Sequence, residues 1–208
     1  MANPLKRTSR HVKVRKTLCI VVEGQKTEKN YFTDVKAEFN VGREAVLNVF
    51  AATGGSASNI LSKAIDQVKL GHDQIWCVLD ADTFGTKADF QKLAQARRAK
   101  ITVIFSNPCF EVWYRHHFTN SHGALANGDE AKAEVKRLMA KHIKSPRSDW
   151  RDLRGILASG APFANASQVK GQHRIPPAVC LESNSSSDVD IVLVELGFGP
   201  ADDDQEGK

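Results

Sequence analysis

The apolar positions of the chain fall into two textures. As far as residue 105, short apolar runs alternate with segments of helical period; beyond it the helical period dominates. The first run, Leu18-Cys-Ile-Val-Val22, is continuous, as in a strand buried on both faces. Residues 27–39 follow as a helix, with Tyr31, Phe32, Val35 and Phe39 on one face. Residues 44–51 read as a second strand. A glycine-bearing turn, Thr53-Gly-Gly-Ser-Ala-Ser58, ends in hydroxyls suited to capping a helix over 57–70. That helix is expected to bury Ile60, Leu61, Ala64, Ile65 and Val68, and Gly71 ends it. A strand over 74–79, a helix over 87–100 and a strand over 101–105 complete the alternation. The pattern predicts an α/β fold, a mostly parallel sheet flanked by helices on both faces. Past it, Asn107 and Pro108 are read as the cap and first turn of a helix reaching Phe118. A polar loop over 119–128 and helices over 129–142, 149–158, 162–169 and 188–196 make the C-terminal half helical.

Length and charge sharpen the division. At 208 residues, the chain is one domain, or one domain with a helical appendage. The reading is a basic N-terminal arm over 1–16, an α/β core over 17–118, a helical extension packed on it over 119–200, and an acidic disordered tail over 201–208. The net charge of +5 is unevenly spread. Lys6, Arg7, Arg10, Lys13, Arg15 and Lys16 stand in the arm without an acid, and Asp202, Asp203, Asp204 and Glu206 crowd the tail. The body between is nearly neutral. The arm is either a contact for nucleic-acid phosphates or a solvated terminus. The apolar run after it is too short for a signal peptide and is interrupted by Glu23. No stretch reaches the length of a membrane span, so no membrane association and a cytoplasmic location are expected. Cys19, Cys77, Cys109 and Cys180 form no C-x-x-C pair, which argues for buried reduced thiols rather than a zinc site.

The candidate chemistry sits at strand ends. Glu23 follows the first strand, with Gly24 letting the backbone turn, and the third strand runs into Asp80-Ala-Asp82. In an open α/β sheet, sites form beyond the carboxyl ends of parallel strands. On an extended segment, Asp80 and Asp82 would point to one face and reach one cation. Hard divalent ions such as Mg²⁺ take carboxylate oxygens and keep waters for a phosphate. Glu23, Asp80 and Asp82 are therefore the expected metal ligands, with Glu23 either a third ligand or a proton carrier. Lys26, at the next helix start, could meet a phosphate or be a surface lysine. Glu28 could belong to the site or cap the helix with Thr27. Glu111, four residues after Asn107, is either a fourth acid or a first-turn acid favoured by the helix dipole. Adjacent His116 and His117 cannot chelate one ion as an i, i+4 pair would, although one could approach the substrate. Phe110 and Trp113 are read as core. Arg147, Arg151 and Arg154 form a basic cluster in the helical half, which could follow a nucleic-acid backbone or, by default, is a solvated face. The 53–56 turn lacks the lysine of a P-loop, so nucleotide hydrolysis is not expected.

Strand–Glu23-Gly24–helix with strand–Asp80-x-Asp82 resembles the Toprim domain of topoisomerases, bacterial primases and OLD-type nucleases. More closely, Val22-Glu-Gly-Gln-Lys-Thr-Glu-Lys-Asn-Tyr-Phe32, Trp76-Cys-Val-Leu-Asp-Ala-Asp82, Ser106-Asn-Pro-Cys-Phe-Glu-Val-Trp113, His117-Phe118 and Asn184-Ser-Ser-Ser-Asp-Val-Asp190 resemble blocks of the RloB family, with AbiLii-like relatives. The likeness covers about residues 17–196. It implies a Toprim-like core and a role in bacterial defence against phage (abortive infection), often beside an ATPase. It further implies that Glu23 is a general acid/base and that Asp80 and Asp82 bind Mg²⁺. The match of the Thr27-Glu28 pair brings Glu28 into the candidate site.

The expectation is a Mg²⁺-dependent nuclease, with Mn²⁺ as an alternative ion, acting on RNA such as tRNA or on DNA. Glu23, Asp80 and Asp82 are its catalytic and metal residues; Lys26, Glu28, Asn107, Glu111 and His117 are its substrate contacts. The alternative is a non-catalytic regulatory or scaffold subunit of an ATPase-containing defence complex. A primase-like activity is a weaker rival, for no helicase or zinc module accompanies the domain. A homo-oligomer is left open.

Overall fold

A computed structural model of the chain describes residues 15–52, 55–121, 123–143, 149–173 and 184–200. Most of the basic arm, the turn at 53–54, His122, Arg147, Cys180 and the acidic tail lie outside the described residues. Five strands form one sheet in the order β2-β1-β3-β4-β5. They are β1 Lys16–Val22, β2 Ala45–Ala51, β3 Gln74–Asp80, β4 Thr102–Asn107 and β5 Ser186–Ser187. The first four are parallel, and β5 runs antiparallel to the end of β4.

The connections follow from strand order. From β1 the chain steps to β2 through α1 (Thr27–Phe39), then returns past β1 to β3 through α2 (Ala57–Lys69) and on to β4 through α3 (Lys87–Arg98). Right-handed crossovers in opposite directions put α1 on one face and α2 with α3 on the other. The buried residues divide accordingly. Cys19, Val21, Ile75, Cys77, Leu79 and Phe105 face α2 and α3, where Ile60, Leu61, Ala64, Leu93 and Ala96 meet them. The alternate strand residues, Leu18, Ile20, Val22, Trp76, Val78 and Ile104, face α1 and the helices of the C-terminal half. Ile65 is only partly buried and Val68 is exposed, while Gln67 takes a buried place on α2. Cys19, Cys77 and Cys109 are free and buried.

The helical half packs on the α1 face. It comprises α4 (Glu111–His116), α5 (Gly128–His142), α6 (Asp149–Leu157), α7 (Ala161–His173) and α8 (Val189–Glu195). Buried Trp113 Nε1 donates to the Tyr31 hydroxyl at 2.9 Å, locking α4 to α1. On α6, Trp150 Nε1 and Arg154 Nε each donate to Glu38 at 3.0 Å, so Arg154 is committed to a contact within the fold. Glu195 at the end of α8 accepts from Gln74 Nε2 and Trp76 Nε1 at the start of β3.

Two expectations change here. Residues 106–107 extend β4, and α4 begins only at Glu111 after a cis Asn107–Pro108 bond, so Asn107 caps no helix. The Ser/Asn-rich stretch before the last helix contains β5, a strand too short to show a period. Asn184 exchanges hydrogen bonds with the Leu125 main chain, Ser185 N donates to Asn107 O at 2.8 Å, and the Ser106 and Ser187 hydroxyls meet at 2.8 Å.

Candidate acidic site at the carboxyl edge of the sheet

The point where the chain reverses its strand order lies between β1 and β3, and both strands end there in an acid. Register pairs Val22 with Val78, which sets Glu23 beside the end of β3. Glu23 Oε2 accepts from the Asp80 amide at 3.3 Å and from Thr83 Oγ1 at 3.1 Å. Thr83 Oγ1 also lies 3.1 Å from Asp80 O. Asp80 Oδ1 in turn accepts from the Phe110 amide at 2.9 Å, tying β3 to the entry of α4.

Asp80 and Asp82 do not share an extended segment. Residues Ala81–Thr83 form a 3₁₀ turn, and the Asp82 amide donates to Pro108 O at 3.1 Å. The turn, rather than a strand period, decides where the second carboxylate goes. Asp82 is exposed and lies against the first turn of α5, where a Cβ on Gly128 would come within 2.8 Å of its Oδ2.

Two further acids close on the same edge. Glu28, buried in the first turn of α1, fills the space a side chain at position 24 would need: a Cβ on Gly24 would lie 1.7 Å from its Oε2. Gly24 is required for that close approach, since its φ does not lie in the left-handed region. Glu111, the first residue of α4, contributes its charge from the other side. Burial first, then Glu28, Glu23, Asp82 and Glu111 push the Asp80 carboxyl up to about 9. Glu23, Glu28 and Asp82 are also raised, chiefly by burial; hydrogen bonds from Asp80 N and Thr83 oppose the shift at Glu23. Lys132 on α5 answers this charge. Burial pulls its ammonium down, and Glu111, Cys109, Asp129 and Asp80 more than offset the pull.

The donors are all carboxylate oxygens of the kind a hard divalent cation takes, and their mutual repulsion is what such a cation relieves. They stand open rather than closed on one point. Among the described residues, no three His, Cys, Asp or Glu side chains are grouped as a ready metal-holding set.

The remaining expected contacts fall in different places. Lys26 is exposed at the N-cap of α1, with no side-chain capping bond. Asn107 ends β4, and its main chain is paired with β5. His117 is withheld from solvent at 4% exposure: its Nδ1 lies 2.9 Å from Trp113 O, and burial pushes its imidazole down to about 4. The neutral ring sits in the core, edge-on to Trp113 with ring centroids 5.0 Å apart. Thr83 and Lys132 were absent from the expected set. A lone threonine after the acids and a lysine on a polar helix face carry no spacing signal.

Beside the acids, a groove of about 420 Å³ opens between the start of α1, α4 and α5, lined by Thr27, Glu111, Tyr114, Lys132, Lys136 and Met139 among others. No helix among the described residues is long and apolar enough to cross a membrane.

No curated protein and no solved structure is matched by the chain. The sequence model of a family described as RloB-like protein matches residues 18–196.

Proposed function

The chain belongs to the RloB-like family, and from that premise we propose that it is a metal-dependent nuclease of bacterial anti-phage defence. The observation that carries this reading is the seating of Glu23 on the Asp80 amide at the strand-order reversal, with three more carboxylates crowding Asp80. Such crowding disfavours the charged form of Asp80 in the metal-free chain, and a bound divalent cation would relieve it. Glu23, Asp80 and Asp82 would hold Mg²⁺ or Mn²⁺, with Glu28 and Glu111 as further oxygens nearby. When bound there, the ion supplies charge neutralisation at a scissile phosphate and a more acidic water.

The chain's own groups supply the rest. Glu23 is fixed by Asp80 N and Thr83 through one oxygen, leaving Oε1 either to face the ion or, in place of that, to take a proton, and burial raises its proton affinity above that of an ordinary glutamate. The Phe110 amide holds the Asp80 carboxylate in orientation. Lys132 places a cation where phosphate charge would enter.

The reading is tested by incubating purified protein with labelled tRNA, single-stranded DNA and duplex DNA in Mg²⁺, Mn²⁺ or EDTA, beside Glu23→Gln and Asp80→Asn. Metal-dependent cleavage lost in both folded variants supports the nuclease. The open spacing of the carboxylates favours a second reading, a scaffold subunit of an ATPase-containing complex. Full phage protection by both variants in cells would select it.

A further inference from the structure

The groove beside the acids has two kinds of wall. Val135, Met139, Ala140 and Tyr114 give it an apolar floor; Lys132 and Lys136, one helical turn apart on α5, also line it, with Thr27 and the acidic Glu111. Its volume of about 420 Å³ lies in the range of small-ligand sites. Lys132 belongs to both regions, for it lines the groove and answers Glu111 and Asp80.

We propose that this groove seats one unpaired nucleotide adjoining the cleaved phosphodiester, with its base on the apolar floor and its phosphate between Lys132 and Lys136. The inference rests on the nuclease reading and adds the substrate class: single-stranded nucleic acid, or a loop. A base inside a duplex has both faces stacked and cannot lay one on this floor, whereas an unpaired base presents a π-face and an apolar edge. The lysines match the phosphate, and the nearly neutral body offers duplex DNA no broad basic surface. Ribose and deoxyribose are not distinguished by these walls, so RNA and DNA are separate arms of the test.

The test reads binding apart from cleavage. Fluorescent single-stranded RNA and DNA 12-mers and their duplexes are titrated with the full chain carrying Glu23→Gln in EDTA, then with Lys136→Ala or Ala140→Trp added. Neither added change touches the acids. The single strand should bind about tenfold more tightly than the duplex, and Ala140→Trp, which fills the floor, should abolish that preference. Lys136→Ala should flatten the slope of log K against log salt by about 0.7, one phosphate contact. Equal binding of duplex and single strand, or unchanged binding in both added variants, overturns the proposal. Groove-dependent binding without cleavage by the wild-type chain would sink the nuclease reading and keep the groove. Cleavage that ignores both groove variants would do the reverse.

Discussion

Two aspartates of this chain, nine positions apart, live under opposite rules. Asp89 is 2% exposed and receives the amides of Ser58 (2.9 Å), Gly85 (3.2 Å) and Thr86 (2.8 Å) and the Thr86 hydroxyl (2.7 Å). Burial pushes it up, but the bonds from Thr86, Gly85 and Ser58 outweigh burial and hold it below the usual aspartate range. It closes a capping box on α3 and ties the start of α2 to it. Asp80 is held by the Phe110 amide and surrounded by acids, and rises to about 9. A supplied carboxylate secures the fold. An under-supplied one holds a proton in place of a charge, and gives it up only to something that arrives later.

The sharpest break of the comparison is in activity. Asp80→Asn should lower cleavage about a thousandfold, or roughly 4 kcal/mol of barrier, when initial rates are compared in Mg²⁺. The same change should raise the metal-free melting temperature by about 3 °C, because the wild-type fold must take up a proton at Asp80 that Asn does not need. A melting temperature that falls would remove the contrast between the two sites.

Asp89→Ala should act the other way round. Loss of four donors' partner should cost about 3 kcal/mol in urea unfolding, with cleavage per folded molecule retained. With a total stability of about 5–15 kcal/mol, such a loss is a large share of it, so expression is expected to drop as well.

The pH dependence should also differ in sign. For metal-free protein, the folded state keeps the Asp80 proton from the ordinary value of 3.8 up to about 9, while the unfolded chain sheds it. The stability linked to this proton is present below that window and lost as pH rises through it. Asp89, with its lowered value, stabilises above the ordinary aspartate range and loses that contribution as pH falls. Unfolding free energies of wild type minus Asp80→Asn should therefore decline from pH 5 to pH 9. Wild type minus Asp89→Ala should instead decline on acidification. Mg²⁺ should flatten the first profile and leave the second unchanged.

The smallest effect belongs to Gly24→Ala. The new methyl displaces only the end of the Glu28 side chain, so the stability cost should stay near 1 kcal/mol. Cleavage should fall several-fold, because Glu28 leaves the edge. Unchanged kinetics would place Glu28 outside the site.

Much of this was legible because it rests on short-range pattern. Continuous apolar runs announced β1 and β3, and the acids ending them told where to look. Thr86 and Asp89 carry a capping-box spacing, although nothing in the sequence marks Asp89 as the acceptor shared by two helix starts. The rest depends on contacts that sequence separation hides. The 3₁₀ turn at Ala81–Thr83 is fixed by the remote carbonyl of Pro108, so an Asp-x-Asp spacing alone suggested an extended pair. His117 sits beside a promising motif, yet the Trp113 carbonyl and burial claim it. Lys132 reaches the acids only because α5 folds back along α4.

The pairing at the end of β4 has a bearing on the order of assembly. Ser106 meets Ser187 across 81 positions of chain, and the Asn107 carbonyl has no Ser185 amide until the same late stretch arrives. A nascent chain emerging from the ribosome can thus build β1 to β4 and still lack the brace beside Pro108, whose carbonyl anchors Asp82. Such long-range closure is slow relative to local helix formation. The acidic edge consequently waits for chain that emerges long after its own acids, and a chain cut short before Asn184 would carry every expected catalytic acid on an unbraced edge.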